Sequence, residues 1–317
     1  MANNFNDTVN WATVIGTAFD NATLRPLRPV YIFDQVCKEK EWNLPTKPSK
    51  GASISFPVLA SWSANTSALD PTTTSITGSQ KNVYTRTNVT LGLYGDHATI
   101  DTLEMSAETM VDDISDIGFN LTDQAHNSIN LIARATMDLN KYANGASGTL
   151  SGTYHAYGSA GTASSVGPLK ASDIRLMVSK MRGDKVQTFG GLYEAIITPI
   201  QYTQLRGDSD NASWTSSKQY VESGALEISN GDVGVFEGCR FTSNTENAGA
   251  SSGTISAYII GRDFVGKAIG KELTIAPKKT MVGNHDNLLV MYWHSLTGYG
   301  ILRRQAGRII QTSNTTL

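Results

Sequence analysis

Between Ser106 and Lys141, small or apolar side chains return at Ala107, Val111, Ile114, Gly118, Leu121, Ala125, Ile129, Ile132, Ala135 and Leu139. Steps of three and four place them along one face of a helix. No proline interrupts the run. Ser106 is placed to cap its start, and Asn144-Gly145 supplies a stop. Asp112, Asp113 and Asp116 lie towards the positive end of the helix dipole, and Lys141 towards the negative end. Such a helix would be about 50 Å long at 1.5 Å per residue. That is well beyond the usual three to four turns, so it needs a partner along its length. The pattern predicts a spine whose core face includes Val111, Ile114, Leu121 and Ile132.

Ahead of the spine the pattern changes to alternation. Ile54, Phe56 and Val58 alternate within Ser53–Ala60, and Val83, Val89, Leu91 and Leu93 share one parity within Val83–Leu93. Pro57 cannot donate to a ladder, which puts the first strand at an edge or a bulge. The intervening Ser61–Asn82 is long and rich in Ser and Thr; compact domains seldom hold such a loop idle. The two strands therefore predict an extended hairpin whose tip residues, Trp62, Leu69 and Ile76, have no core of their own. Tyr94-Gly95-Asp96-His97 reads as a turn into the spine. Earlier still, Trp11, Ile15 and Phe19 allow one short helix, and Val30, Phe33 and Cys37 within Val30–Lys40 a second. Two readings of this segment stand: terminal decoration, or an arm completed by another subunit. Large apolar residues such as Trp11 and Phe19, without a visible local core, favour the arm.

After a Gly/Ser/Ala-rich stretch from Gly145 to Pro168, read as loop or weak hairpin, a compact α/β pattern follows. Ser172 is placed to cap a helix with Ile174, Met177, Val178 and Met181 on one side. Leu192–Thr198 reads as a buried strand, and Pro199 opens a short helix through Leu205. Val233–Ser243, interrupted by Gly238, and Ile255–Ile260 read as strands, with a polar loop from Asn244 to Gly253. The chain ends in strands at Glu272–Ala276, Leu288–His294 and Gly300–Gln311. Val290 to Trp293 are apolar on both faces, and the long helix is the obvious cover. The class is α+β, with the middle region inserted between the spine and the returning strands.

Composition narrows the function. The chain has 317 residues, 17% charged, with a formal net charge of −2. That balance argues against a protein whose main task is gripping nucleic acid. The two cysteines, Cys37 and Cys239, make no disulfide framework. The longest clearly apolar run, Leu288–Trp293, is too short to span a bilayer, and the first residues, MANNFNDTVNW, lack the marks of a signal peptide. Gly261 to Ala268 nearly matches a phosphate-binding loop, which makes a nucleotide hydrolase using Gly261–Lys267 the rival reading. Against it, Ala268 replaces the hydroxyl that would hold Mg²⁺, and no helix follows to meet a phosphate. The histidines, His97, His126, His155, His285 and His294, show no paired ligand spacing, so no metal, cofactor or catalytic residue is assigned. Lys278-Lys279 and Arg303-Arg304 with Arg308 read first as partners of acidic residues and second as weak phosphate contacts. A β-rich tail or adhesin protein is a third reading, and the spine speaks against it.

Six segments in fixed order carry a resemblance. They are TLGLYGDHATIDTLEM from Thr90, LKASDIRLMVSKMRG from Leu169, GGLYEAIITPIQYTQLRG from Gly190, NGDVGVFEGCRFTSN from Asn230, AYIIGRDFVGKAI from Ala257, and the ending HSLTGYGILRRQAGRIIQTS. Together they resemble the major capsid protein of tailed double-stranded DNA phages, the Hong Kong 97 capsid fold, and in particular the coat-protein family of N-four-like phages. The resemblance implies an N-arm (1–44), an E-loop hairpin (45–93), a P-domain formed by the spine and following loop (94–168) with the returning strands (271–317), and an A-domain (169–270). It implies a structural protein, not an enzyme, that forms pentamers and hexamers of itself in an icosahedral shell around phage DNA. The implied partners are a portal, a separate scaffolding protein, a decoration protein, and packaged DNA held by weak non-specific contact, with no membrane. The implied location is the virion, after assembly in the host cytoplasm. Trp62, Leu69, Ile76, Trp11 and Phe19 would then make contacts between subunits.

Overall fold

The computed structural model describes residues 31–62, 64, 66, 81–101, 113–142, 153–155, 167–208, 234–247, 249, 253–282 and 285–314. Trp11, Phe19, Leu69, Ile76, Ser106, Val111 and Asn144-Gly145 lie outside them. The strands are β1 (Lys38–Glu41), β2 (Ser53–Leu59), β3 (Tyr84–Thr90), β4 (Gly92–Asp101), β5 (Thr153–His155), β6 (Tyr193–Ile197), β7 (Val235–Phe236), β8 (Cys239–Ser243), β9 (Thr254–Ile260), β10 (Val265–Val282), β11 (His285–Ile301) and β12 (Gly307–Ser313). The α-helices are α1 (Asp113–Asp138), α2 (Ala171–Gly183) and α3 (Pro199–Arg206). The chain divides into two compact units. One takes in Tyr94–Ser128 and Leu273–Ser295; the other takes in Val30–Leu93, Ile129–Glu272 and Leu296–Leu317. The long elements α1, β10 and β11 each contribute residues to both.

In the first unit, Leu121 and Ala125 of α1 pack on Trp293, with Tyr94, Leu273, Ile275 and Met291 around them. The Trp293 indole N–H donates to Gln124 Oε1 at 3.4 Å, and the Gln124 amide donates to Asp96 Oδ2 at 2.7 Å. Tyr94 to His97 do not turn the chain; they lie inside β4. Gly95 is there because a Cβ would sit 2.6 Å from the Trp293 carbonyl oxygen. A glycine that permits close backbone approach looks the same in sequence as a glycine that permits a turn.

The second unit holds a six-stranded sheet in the order β5-β12-β9-β6-β8-β7. One face is covered by Ile174, Met177, Val178 and Met181 of α2 and Leu205 of α3, packed on Tyr193, Ala195, Ile197, Ala257 and Ile259. The other presents Ile196, Tyr258, Ile260 and Ile309 to Phe33, Ala133 and Met137. Strand β6 is buried at every residue, which is why its apolar run barely alternates. The polar exception, Glu194, is paired with Arg240 on the neighbouring strand. Helix α3 starts as its sequence requires. Pro199 takes the first helical position, Thr198 Oγ1 accepts from the Gln201 N–H at 3.2 Å, and Gln201 Oε1 accepts from the Thr198 N–H at 3.0 Å. Helix α2 begins two residues earlier than a Ser172 cap would place it: Lys170 is the N-cap, its N–H donating to the Asp173 carboxylate at 3.1 Å.

The core face of α1 also differs from the pattern. Leu121, Ala125, Ile129, Ala133 and Met137 are buried, in steps of four. Ile132 is half-buried, and Ala135 and Leu139 are exposed. A step of four overshoots a helical turn by about 40°, so the buried stripe winds around the helix instead of running straight. Asn130, which no hydrophobic pattern would select, is fully buried and accepts the Phe33 N–H at 2.9 Å. Ile114 lies in α1, but its side chain is outside the described set.

Segment 32–40 is not a helix. Phe33 and Cys37 are both buried, as their spacing suggests, but they belong to turns that lead into β1. That strand, KEKE, has little β propensity; it forms because it pairs in parallel with Gly266–Ile269 of β10. β1 ends a second sheet, in the order β1-β10-β11-β4. β10 and β11 are longer than the apolar runs predict because they continue through Gly266, Gly270, Gly298 and Gly300.

Candidate assembly surfaces

The hairpin of β2 and β3 forms a two-stranded sheet with Ile54 opposite Val89 and Leu59 opposite Tyr84. Because faces alternate, these two pairs point to opposite sides. Ile54, Phe56, Val89 and Leu91 are buried against Ala268 and Leu296, so the base of the hairpin is anchored in a core. Pro57 sits opposite Arg86 in this edge strand, as its missing N–H demands. At the far end the chemistry reverses. Ala60 N–H still donates to the Val83 carbonyl at 2.9 Å, so the strands remain paired. Yet Leu59 is 50% exposed, Tyr84 56%, Trp62 58% and Val83 60%. Of the predicted contact residues, Trp62 is thus an exposed aromatic at the open end. Leu69, Ile76, Trp11 and Phe19 cannot be placed, since they lie outside the described residues. Leu59, Val83 and Tyr84 were not assigned from sequence. Their signal was that Leu59 and Tyr84 are apolar but off the parity of Ile54, Phe56 and Val89. All four stand exposed at the same end of the ribbon, and apolar surface gathered at one end in this way marks an interaction site.

The near-phosphate loop has another role. Gly261–Phe264 is a turn into strand β10, and no helix follows it. Lys267 Nζ lies 2.7 Å from Asp34 Oδ2 and 3.0 Å from Glu39 Oε1. Tyr299 donates its hydroxyl to Asp34 Oδ1 at 2.6 Å. Burial alone would lower the Lys267 pKa, but the hydrogen bonds and charges of Asp34 and Glu39 outweigh it and hold it above the ordinary lysine value. Burial, reinforced by Asp34, pushes the Tyr299 hydroxyl far up as well. This lysine is already committed to carboxylates, and it ties segment 34–39 to β10. Both thiols are buried: Cys37 is pushed strongly up and Cys239 up to about 12, which makes both poor nucleophiles. Among the described residues no group of three or more His, Cys, Asp or Glu could hold a metal, and no helix is long and apolar enough to cross a membrane. Of the basic residues read as partners of acids, Arg308 pairs with Asp184.

No family model matches the chain, and no curated protein matches it. Solved structures do. The capsid structure of the cyanophage P-SCSP1u is similar with a TM-score of 0.70 at 16% identity, over 94% of this chain and 92% of that one. The capsid of Ralstonia phage GP4 is similar with a TM-score of 0.66 at 14% identity, over 93% and 94%. The acid-stable capsid of Helicobacter pylori bacteriophage KHP30 is similar with a TM-score of 0.66 at 13% identity, over 92% and 94%. Likeness over nearly the whole of both chains, in spite of such low identity, shows that this chain has the phage capsid fold.

Proposed function

We propose that this chain is the major capsid protein of a tailed double-stranded DNA phage, building an icosahedral shell from pentamers and hexamers of itself. The observation that carries the reading is the open end of the β2–β3 hairpin. Leu59, Trp62, Val83 and Tyr84 stand exposed on a pair of strands whose base is firmly buried. Burying an exposed apolar side chain contributes about 1.5–3 kcal/mol, so a neighbouring copy has a strong reason to cover them. Closed symmetry repeats each such contact around a ring and over the shell. In this reading the hairpin is the E-loop, segment 1–44 the N-arm, 169–270 the A-domain, and α1 with the last strands the P-domain. Trp11, Phe19, Leu69 and Ile76 join Trp62 in contacts between copies, and Val111 and Ile114 continue the buried face of α1. A portal, a separate scaffolding protein and a decoration protein are the further partners, and assembly takes place in the host cytoplasm. The work is binding, not catalysis; Lys267, the one residue that invited a nucleotide reading, already serves Asp34 and Glu39.

Electron microscopy of the purified full chain tests the proposal. Shells or rings of five and six copies are expected. A protein that stays monomeric at high concentration, with and without a scaffolding protein, overturns it. Deleting Ser63–Gln80 should leave a folded subunit that closes no stable shell; normal, heat-stable particles from that deletion would remove the hairpin from the mechanism.

A further inference from the structure

Three turns of the second unit converge on one surface pocket of about 210 Å³. The turn after α2 brings Lys185 and Gln187, the turn between β9 and β10 brings Arg262, and the turn before β12 brings Arg303 and Gln305. All five side chains belong to exposed residues. Among the described residues Asp184 brings the one carboxylate to the pocket, and it is taken by Arg308, whose side chain is 2% exposed. The nearby Asp263 is likewise committed, to Lys38 at 2.9 Å. Among the described residues Lys185, Arg262 and Arg303 form no ion pair, so the pocket gathers three cations without an available anion.

The backbone holds this arrangement in place. Lys185 adopts a φ of 56°, a left-handed position uncommon for a residue with a side chain. Its N–H and that of Val186 donate to the Arg182 and Met181 carbonyls, each at 3.0 Å, which ties this turn back onto the end of α2. The Arg262 N–H donates to the Gln187 carbonyl at 2.9 Å and ties two of the turns together. Like charges held side by side repel one another unless an anion sits between them.

We propose that this pocket binds the phosphate backbone of nucleic acid, which rests on the shell reading above. A lone carboxylate from a neighbouring copy would neutralise one of the three cations. A duplex brings one negative charge per about 1.7 Å of axis and neutralises all three. Guanidinium groups also match phosphate oxygens two at a time. The chain as a whole has a net charge of −2, so the pocket is a local exception. It holds the polyanion at one spaced point per copy, without a general grip.

The test is fluorescence anisotropy of a labelled duplex oligonucleotide against salt, with the full chain and its Arg262→Gln/Arg303→Gln variant. Weak binding is expected, with a salt slope that falls by about two in the variant, close to 0.9 per lost phosphate contact. Pyrophosphate should compete, and acetate at equal ionic strength should not. An unchanged slope overturns the proposal, as does the absence of any duplex binding. Competition by acetate as strong as by pyrophosphate also overturns it, in favour of a carboxylate partner. Lys185→Gln, with an expected slope change of about one, decides the matter should the double variant not fold. Microscopy separates the two proposals. Shells formed by a variant with unchanged slope refute the pocket alone, and duplex binding by a wild-type chain that never assembles refutes the shell alone.

Discussion

The six-stranded sheet and the β2–β3 hairpin belong to the same compact unit, yet they solve opposite problems. The sheet is closed on both faces: α2 and α3 cover one, and Phe33, Ala133 and Met137 pack on the other. Even the buried glutamines of the covering helix α3 find partners within the chain. Gln204 accepts the Leu169 N–H and donates to the Ser313 carbonyl, both at 2.9 Å, and Gln201 donates to Thr312 Oγ1 at 2.8 Å. The hairpin is closed only at its base. Its far end keeps its ladder but leaves four large side chains in water. A two-stranded ribbon has too little surface of its own to bury both faces. Self-sufficiency in one region and incompleteness in the other therefore follow from strand number as much as from composition.

Four experiments break or sharpen this contrast. The largest effect is expected from Ile196→Asp, which puts an unpaired charge into the closed sheet. The cost exceeds about 4 kcal/mol, and the chain should yield no soluble, cooperatively melting protein. Phe56→Ala removes the anchor of the hairpin base and should cost about 3–5 kcal/mol in a denaturant titration. A much smaller loss would mean that the base is as open as the tip. Lys267→Met strips Asp34 and Glu39 of their cation and should cost about 1.5–3 kcal/mol at neutral pH. The folded lysine pKa is raised above its ordinary 10.5, so this contribution is fully present below the unfolded value and is lost as pH rises through the folded one. The stability difference between wild type and variant should stay level at neutral pH and shrink only above about 10.5. The smallest effect on the subunit belongs to Leu59→Ser with Trp62→Ser: within about 0.5 kcal/mol by melting, as for other exposed positions. The same pair should abolish shells under the microscope. A large fall in melting temperature would show that these side chains are needed within the subunit.

Residues that follow one local rule were legible from the chain alone. The period of α2, the buried run of β6, the Thr198-Pro199 start of α3 and the edge position of Pro57 each rest on neighbours within a few residues. The α+β class and the order of the segments were legible for the same reason. Other features were set by residues far away in sequence. KEKE becomes strand β1 because Gly266–Ile269 offers it an edge. Gly298 sits inside β11 because a Cβ there would meet the Thr90 carbonyl oxygen at 2.1 Å, and not because the chain turns. Lys267, legible only as part of a phosphate-loop pattern, takes its role from Asp34 and Glu39, more than two hundred residues earlier.

By itself, then, the sequence determined which segments form helices and strands wherever side-chain period and turn chemistry agree, and it marked Trp62 as an apolar residue without a local partner. Only the tertiary structure decided which apolar residues are covered and which stay open. Leu121 and Leu139 fit the same helical pattern, yet Leu121 packs on Trp293 and Leu139 lies in water. Periodicity records only that a side chain is apolar and where it points along its own element. Burial depends on what the rest of the chain brings to that face.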